Sequence, residues 1–242
     1  MRALILCGGR GTRLGALTAD TPKPLLPIDG EPLLGYTLAL LARSGIPEVA
    51  INLHHLGSRI ESYVGSGARF GAAVTYACEE SLLGTAGTVR SLSGFFGEDD
   101  GLVLYGDLLL DVDLGAMTAR HRACGASGTL MLHRRARSNS RVTMDSTDRI
   151  ISFLERPSDS ASPTPTSDTW VNSGVAILSR GLRDRIPSTL PCDLPRDLYA
   201  PLADRERLFG FPLSGYRCAI DSPARYEEAC QAVREGRVRR PW

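Results

Sequence analysis

A short apolar run, Leu4-Ile5-Leu6-Cys7, ends in Gly8-Gly9-Arg10-Gly11-Thr12-Arg13-Leu14, and Pro22-Lys23-Pro24-Leu25 follows closely. Three glycines within four positions let the backbone turn tightly and bring its N–H groups to an anion with no Cβ in the way. A helix starting after the loop would add the positive end of its dipole. Arg13 can fork two phosphate oxygens, and Lys23 supplies a mobile point charge. These residue types at this spacing describe a cradle for a polyphosphate. The pattern is neither of the two commonest phosphate loops. A Walker loop needs G-x-x-x-x-G-K-[ST], and no lysine stands in that place. In the dinucleotide fingerprint a glycine falls at the sixth position, where counting from Gly9 and Gly11 gives Leu14.

The elements that must carry this loop read clearly in the first half of the chain. Strands are expected at Ala3–Cys7, Glu48–Leu53, Val74–Cys78 and Leu102–Tyr105, and helices at Pro32–Ser44, Arg59–Val64, Thr85–Phe95 and Leu114–Cys124. Gly45-Ile46-Pro47 stops the first of these helices. Alternation of this length implies an α/β fold: a Rossmann-like, mostly parallel mixed sheet with right-handed crossovers and helices on both faces. Ligands bind such sheets at the carboxyl ends of the strands, where Gly8–Arg13 and Gly106-Asp107 both fall.

The second half is richer in strand. Thr129–Arg134, Arg141–Asp145, Ile150–Glu155, Trp170–Leu178 and Leu208–Ile220 read as strand, and Gly181–Ile186, Arg196–Ala203 and Pro223–Arg234 as helix. Pro157–Asp168 has no periodicity and reads as a mobile surface spacer. Asp111 and Asp113 read as loop and cap residues, Arg134, Arg135 and Arg137 as a solvated turn, and the basic run Arg234–Arg240 as a frayed tail. One domain is expected over 1–242, with 1–107 plus 216–242 as one portion and about 108–215 as a small, β-rich second portion.

Bulk properties remove several function classes. The net charge of +1 calls for neither nucleic acid nor a membrane surface as partner. No apolar stretch approaches the length of a membrane span, and the first apolar run is too short for a signal-peptide core. The six cysteines contain no C-x-x-C pair and read as reduced thiols of a cytoplasmic protein. His54, His55, His121 and His133 lack partners at metal-ligand spacing, and no nucleophile elbow is present.

Gly-Gly-x-Gly-Thr-Arg-Leu followed by Lys-Pro resembles the signature of the sugar-1-phosphate nucleotidylyltransferases, or nucleotide-sugar pyrophosphorylases. Four further segments, in the family's order, resemble its motifs: Leu83-Gly84-Thr85-Ala86-Gly87, Gly106-Asp107, Phe153-Leu154-Glu155-Arg156-Pro157 and Val171-Asn172-Ser173-Gly174. A late segment, Ile220-Asp221-Ser222-Pro223, is similar to the family's Asp-Ile-Gly-Thr-Pro, with Ser222 in place of glycine.

The resemblance implies a reaction of a nucleoside triphosphate with a sugar 1-phosphate, giving a nucleotide sugar and pyrophosphate. It implies Arg13 and Lys23 as the catalytic cations, and Leu6, Gly8, Gly9, Gly11, Thr12, Gly84, Thr85 and Gly87 as nucleotide contacts. Glu155, Arg156, Asn172 and Gly174 would then contact the sugar phosphate, and Asp107 and Asp221 would hold Mg²⁺, making 1–107 plus 216–242 the nucleotide- and metal-binding portion and about 108–215 the sugar-phosphate-binding portion. Each has a structural alternative: a helix cap for Asp107, Asp221 and Thr85, a surface ion pair for Glu155 and Arg156, a turn for Asn172. Arg156 stands where the family has lysine, which keeps the charge and changes its geometry. Some members append a left-handed β-helix, which is not expected here. Among branches, the mannose- and heptose-1-phosphate guanylyltransferases look most alike, so GTP is the first nucleotide, ahead of UTP, dTTP and CTP. The sugar is a mannose, a heptose or a related C7 cyclitol phosphate, and the protein is a monomer or homodimer. The rival classes are a non-catalytic sensor, which would usually have lost one of Arg13, Lys23, Asp107 and Asp221, and a cytidylyltransferase of a phosphorylated alcohol, for which Trp170 alone offers a cation cage.

Overall fold

The computed structural model describes residues 1–9, 11–136, 138–156 and 169–241. Pro157–Asp168, Arg10 and Arg137 lie outside them. The chain divides into two compact units, Met1–Leu82 with Val103–Asp113 and Ser214–Trp242, and Leu83–Leu102 with Leu114–Leu213. The segment 83–102, expected with the nucleotide-binding portion, groups with the second unit.

In the first unit, Arg2–Leu6 runs parallel to Glu48–Leu53, which runs parallel to Ala73–Cys78. The strand Gly101–Tyr105 lies on the other side of Arg2–Leu6. These strands are short runs of Val, Ile, Leu and Ala buried along most of their length, the pattern of parallel strands covered on both faces. Leu33–Arg43 buries eight of its residues, and Gly45 in the left-handed region turns the chain out of the helix. The expected strand and helix boundaries hold here to within two residues. A two-residue hairpin, Pro27–Ile28 with Glu31–Pro32, turns through Asp29 and Gly30, both at positive φ, as a primed turn requires.

Leu108–Val112 is a strand and pairs antiparallel with Gly215–Ala219. Asp111 therefore sits within a strand instead of in a loop. Its nearly buried carboxylate pairs with Arg43 at 3.2 Å and with Arg239 at 2.6 Å, and it also accepts the Arg239 backbone N–H at 2.8 Å. The basic C-terminal run is correspondingly tied down. Val238 is buried, Arg239 engages Asp111, and Arg234 and Arg240 both pair with Asp29. Burial alone would push the Asp111 carboxyl up, but the Arg239 bonds and the Arg43 charge outweigh it and hold it below the usual carboxylate range.

Asp111→Ala is expected to lower the unfolding free energy by about 2 kcal/mol, less than for a fully buried pair because water reaches Arg239. Because the folded carboxyl is lowered, its stabilisation is complete above the ordinary carboxylate range and is lost as pH falls through the lowered value. Asp111→Asn should therefore flatten the acid limb of stability against pH in denaturant titrations. An unchanged acid limb would remove Asp111 from that role.

The second unit is mostly antiparallel. Trp170–Leu178 pairs with Gly128–Arg134, which runs parallel to Leu208–Pro212, and Ser140–Met144 pairs with Ile150–Glu155. The expected helix 85–95 is two, Gly84–Ser91 and Ser93–Phe96, which meet at Leu92. The helix expected at Arg196–Ala203 starts as one wide π-turn, Leu194–Tyr199, and continues as Ala200–Leu202. His121 is buried with Nδ1 2.8 Å from the Thr129 hydroxyl, a packed structural histidine. All six cysteines are free thiols. No described helix is long and apolar enough to cross a membrane.

Candidate active site

In the first unit the glycine loop is anchored from the neighbouring strand. Cys7 N–H donates to Asn52 Oδ1 at 2.7 Å, and Asn52 Nδ2 donates to Glu79 Oε1 at 3.0 Å. Asn52 is buried, and a Cβ on Gly8 would come within 2.8 Å of its Nδ2. Gly8 is thus glycine for packing. Gly11 has φ +67°, and its carbonyl accepts Leu14 N–H at 3.1 Å and Thr18 Oγ1–H at 3.0 Å. Gly9 differs from both: it is exposed, its φ is not positive, and beyond its chain neighbours no described atom lies within 4 Å of where its Cβ would stand. Nothing among the described residues demands glycine there, which fits a backbone left open to a ligand.

No α-helix follows the loop. Thr12–Thr18 is a 3₁₀ segment broken at Gly15, so the helix dipole expected from the sequence is not supplied. Leu6 closes the preceding strand, and Thr12 and Arg13 are surface residues beyond the turn.

Lys23 opens a one-turn 3₁₀ helix that its flanking prolines preset. Its Nζ lies 3.0 Å from Asp107 Oδ2, with the lysine mostly sheltered and the carboxylate a third exposed. Gly106 brings Asp107 to the base of the loop. Its N–H donates to the Leu6 carbonyl at 2.9 Å, and a Cβ there would stand 2.6 Å from Cys7 Sγ. Burial, and then the Asp107 charge, push the Cys7 thiol well above its ordinary value, so it is no nucleophile.

Asp221 follows the strand Gly215–Ala219, in which Ala219 pairs with Leu108, and the Ile220 N–H donates to the Asp107 carbonyl at 2.8 Å. The two aspartates therefore stand at adjacent ends of paired strands. The cap of the last helix, Pro223–Arg234, is Ser222, whose Oγ accepts from Arg225 N–H, so Asp221 is not spent on capping. The described residues contain no group of three or more His, Cys, Asp or Glu able to hold a metal. Two carboxylates suit Mg²⁺, which keeps waters and takes its remaining oxygens from phosphates, and do not suit a zinc or calcium cage.

The second unit holds the remaining candidates. At Leu83–Gly87 the expected backbone donors are already engaged. Ala86 and Gly87 N–H donate to the Cys192 carbonyl at 3.0 and 3.2 Å, and Thr85 N–H donates to Asp193 Oδ1 at 3.1 Å. Thr85 Oγ1 also bonds Asp193 and accepts Leu194 N–H at 2.8 Å, and it does not cap its helix. Gly84, at φ +78°, is glycine because the Cys192 backbone lies where a Cβ would be. Leu190 and Leu83 crowd Gly87 in the same way.

Glu155 ends its strand half-buried. Burial raises its carboxyl, against the opposing charge of Arg156, with Asp193 raising it and Arg196 lowering it further down the order. Arg156 is in the left-handed region, 81% exposed, with Nε 3.9 Å from Glu155. Asn172 accepts Gly174 N–H at 3.1 Å, and Gly174, at φ +81°, lies where the strand pairing shifts register. Trp170 is stacked by the protein's own Arg134 guanidinium at 4.3 Å and is not an empty cation cage.

Sequence reasoning missed the residues that hold these loops. Asn52 carried a signal, a polar side chain in the otherwise apolar run Val49–Leu53. Cys192 works through its backbone carbonyl, and Asp193 and Asp197 lie among many acidic residues, so none of them was singled out.

A model of the nucleotidyl transferase family matches residues 2–190. The chain belongs to that family. It is 34% identical over 225 residues to a mannose-1-phosphate guanylyltransferase of Mycobacterium tuberculosis, covering 91% of this chain and 61% of that protein. It is 33% identical to a UTP–glucose-1-phosphate uridylyltransferase of Synechocystis, covering 84% and 55%. The chain thus spans under two thirds of either relative's length. Against the D-glycero-α-D-manno-heptose 1-phosphate guanylyltransferase of Aneurinibacillus thermoaerophilus it is 30% identical, covering 95% and 96%. A crystal structure from Bacillus anthracis, of a protein assigned as a glucose-1-phosphate thymidylyltransferase and holding sucrose, superposes with a TM-score of 0.84 over 97% of this chain and 96% of that one. At 21% identity that likeness is one of fold, the Rossmann-like α/β type.

Proposed function

We propose that the protein transfers a nucleotidyl group from a nucleoside triphosphate to a sugar 1-phosphate and releases pyrophosphate. The observation that carries this reading is the pairing of Lys23 with Asp107 at 3.0 Å, beneath a glycine loop and beside Asp221. A cation and a carboxylate pair held at the base of an open backbone turn suit a triphosphate with its metal.

The reaction joins a phosphate oxygen of the sugar 1-phosphate to the α-phosphorus, while the bond from that phosphorus to the β-phosphate bridging oxygen breaks. No covalent enzyme intermediate is needed, and the chain's task is positioning and charge neutralisation. Asp107 and Asp221 would hold Mg²⁺, which supplies charge neutralisation of the triphosphate. Leu6, Gly8, Gly9, Gly11 and Thr12 form the nucleotide side, with Gly9 the open approach. Lys23 neutralises charge on the α-phosphate and Arg13 on the departing pyrophosphate. In the second unit Gly84, Thr85 and Gly87 shape the nucleotide loop, with their contacts to Cys192 and Asp193 fixing its form. Glu155 and Asn172 bond sugar hydroxyls, Gly174 keeps room beside them, and Arg156 meets the sugar's phosphate.

GTP is the favoured nucleotide and a mannose, heptose or related C7 cyclitol phosphate the favoured acceptor. Two guanylyltransferases among the relatives support this, and the uridylyltransferase of similar identity is the competing reading. Pyrophosphate release with Mg²⁺, scanning GTP, UTP, dTTP, CTP and ATP against mannose 1-phosphate and a heptose 1-phosphate, tests this. Release with GTP well above the others is expected, and a maximum with another base would reassign the nucleotide.

Arg13→Ala is expected to lower kcat roughly 100-fold, the scale for losing one charge-stabilising donor, with the sugar-phosphate KM changed little. An unchanged kcat would remove Arg13 from the pyrophosphate.

A further inference from the structure

The sugar-phosphate side of the second unit holds a second cation that no motif points to. Arg196 lies on the π-turn Leu194–Tyr199, a helical form that recurs at functional sites. That turn packs against the strand carrying Glu155, with the Tyr199 ring edge-on to Phe153 at 5.6 Å. Asp197 grips one edge of the guanidinium: Nε donates to Oδ1 at 2.8 Å and Nη2 to Oδ2 at 2.7 Å. The same Asp197 accepts the Asp193 N–H at 2.6 Å, so the turn fixes the carboxylate that fixes the arginine. Asp193 Oδ2 stands 3.8 Å from Nη2. Among the described residues none bonds Nη1, and the side chain is 58% exposed.

An arginine held by one edge presents its other edge in a fixed direction at little further entropic cost. Two loose surface cations would not do this. Arg156, at the position expected to meet the phosphate, is 81% exposed, and among the described residues its guanidinium pairs with Glu155 at 3.9 Å, without the two-bond grip that holds Arg196. Phe153 and Glu155, two residues apart, lie on one face of their strand, and the turn that carries Arg196 packs on that face through Tyr199, on the same side as the residues expected to hold the sugar.

We propose that Arg196, oriented by Asp197, is a second binding residue for the phosphate of the sugar 1-phosphate, taking a phosphomonoester dianion through its Nη1 edge. The proposal rests on the reading above for the identity of the ligand. Arg196 touches substrate and Asp197 is its positioning residue.

The test compares wild type, Arg196→Gln and Arg196→Lys in steady-state kinetics, and in calorimetric titration with mannose 1-phosphate and, as control, free mannose. Arg196→Gln is expected to raise the KM and Kd for the sugar 1-phosphate about tenfold, the scale of one charge-assisted hydrogen bond. The KM for the nucleotide should stay within about twofold and free mannose should show no difference. Arg196→Lys should recover part of the loss, since it restores the charge without the fork. Equal Kd for mannose 1-phosphate in wild type and Arg196→Gln, or no binding to wild type, overturns the proposal. A wild type that binds mannose 1-phosphate through Arg196 and releases no pyrophosphate with any nucleotide would sink the transferase reading and leave this one standing.

Discussion

Asp107→Asn is expected to lower turnover by about three orders of magnitude and to leave the fold intact. The substitution keeps shape and removes the negative charge that Lys23 Nζ meets at 3.0 Å, next to the strand end that Asp221 follows. Preorganised charges beside a reacting phosphorus are the largest single contribution to this kind of catalysis, and removing one donor elsewhere costs roughly 10²–10³ in kcat. On the proposed reading Asp107 both holds the metal and orients Lys23, so its loss should fall at the upper end of that range. Stability should change little, because the ion pair is partly exposed and such pairs contribute at most about 1 kcal/mol. Two measurements check it: kcat, and the Mg²⁺ dependence of nucleotide binding, which should weaken in the variant. A kcat within tenfold of wild type, with unchanged Mg²⁺ dependence, would place the metal elsewhere.

The largest structural effect is expected from Gly84→Ala. Its φ of +78° disfavours any side chain, and the new Cβ would stand 2.8 Å from the Cys192 carbonyl carbon, 2.9 Å from its nitrogen, and closer still to its oxygen. All of these are backbone atoms, fixed by the bonds from Ala86 and Gly87 to that carbonyl and from Cys192 N–H to Leu83 O at 3.0 Å. The chain must either open this strap or strain. Left-handed strain and overpacking together come to about 3–5 kcal/mol. At this size that is a fall in melting temperature on the order of 10 °C. Hydrogen exchange should show the loss first at Thr85–Gly87. Gly9→Ala is the matched contrast: beyond its chain neighbours it meets no described atom within 4 Å, so melting should hold while nucleotide binding weakens. A Gly84→Ala protein that melts like wild type would show that the strap is not fixed.

Gly84 also shows what the sequence can and cannot reveal. Local backbone demands leave a mark: Gly11 and Gly84 at positive φ, and the Asp29-Gly30 turn. Continuous or periodic apolar runs do too, and Glu48–Leu53, Ile150–Glu155, Trp170–Leu178 and Pro223–Arg234 are legible end to end. What stays hidden depends on partners far along the chain. Asp111 reads as a loop residue because the strand that it sits in, Leu108–Val112, finds its partner strand a hundred residues later. The C-terminal arginines read as a loose tail because Asp29 and Asp111, which bind them, are remote in sequence. At the candidate site the motif residues are legible by type and spacing. The strap of Cys192 and Asp193, the Asn52 anchor and the Arg196–Asp197 fork are products of the fold, visible only once strands and loops are placed together.

The central claim is attack on the α-phosphorus by the sugar 1-phosphate. The most direct test supplies that acceptor with ¹⁸O in its three terminal phosphate oxygens, together with GTP and Mg²⁺, and follows the label by mass spectrometry. All of the label is expected in the nucleotide sugar, one atom in the new P–O–P bridge, with none in the released pyrophosphate, and release should depend on the acceptor. Label in inorganic phosphate or pyrophosphate, or pyrophosphate released equally without a sugar phosphate, would contradict the account.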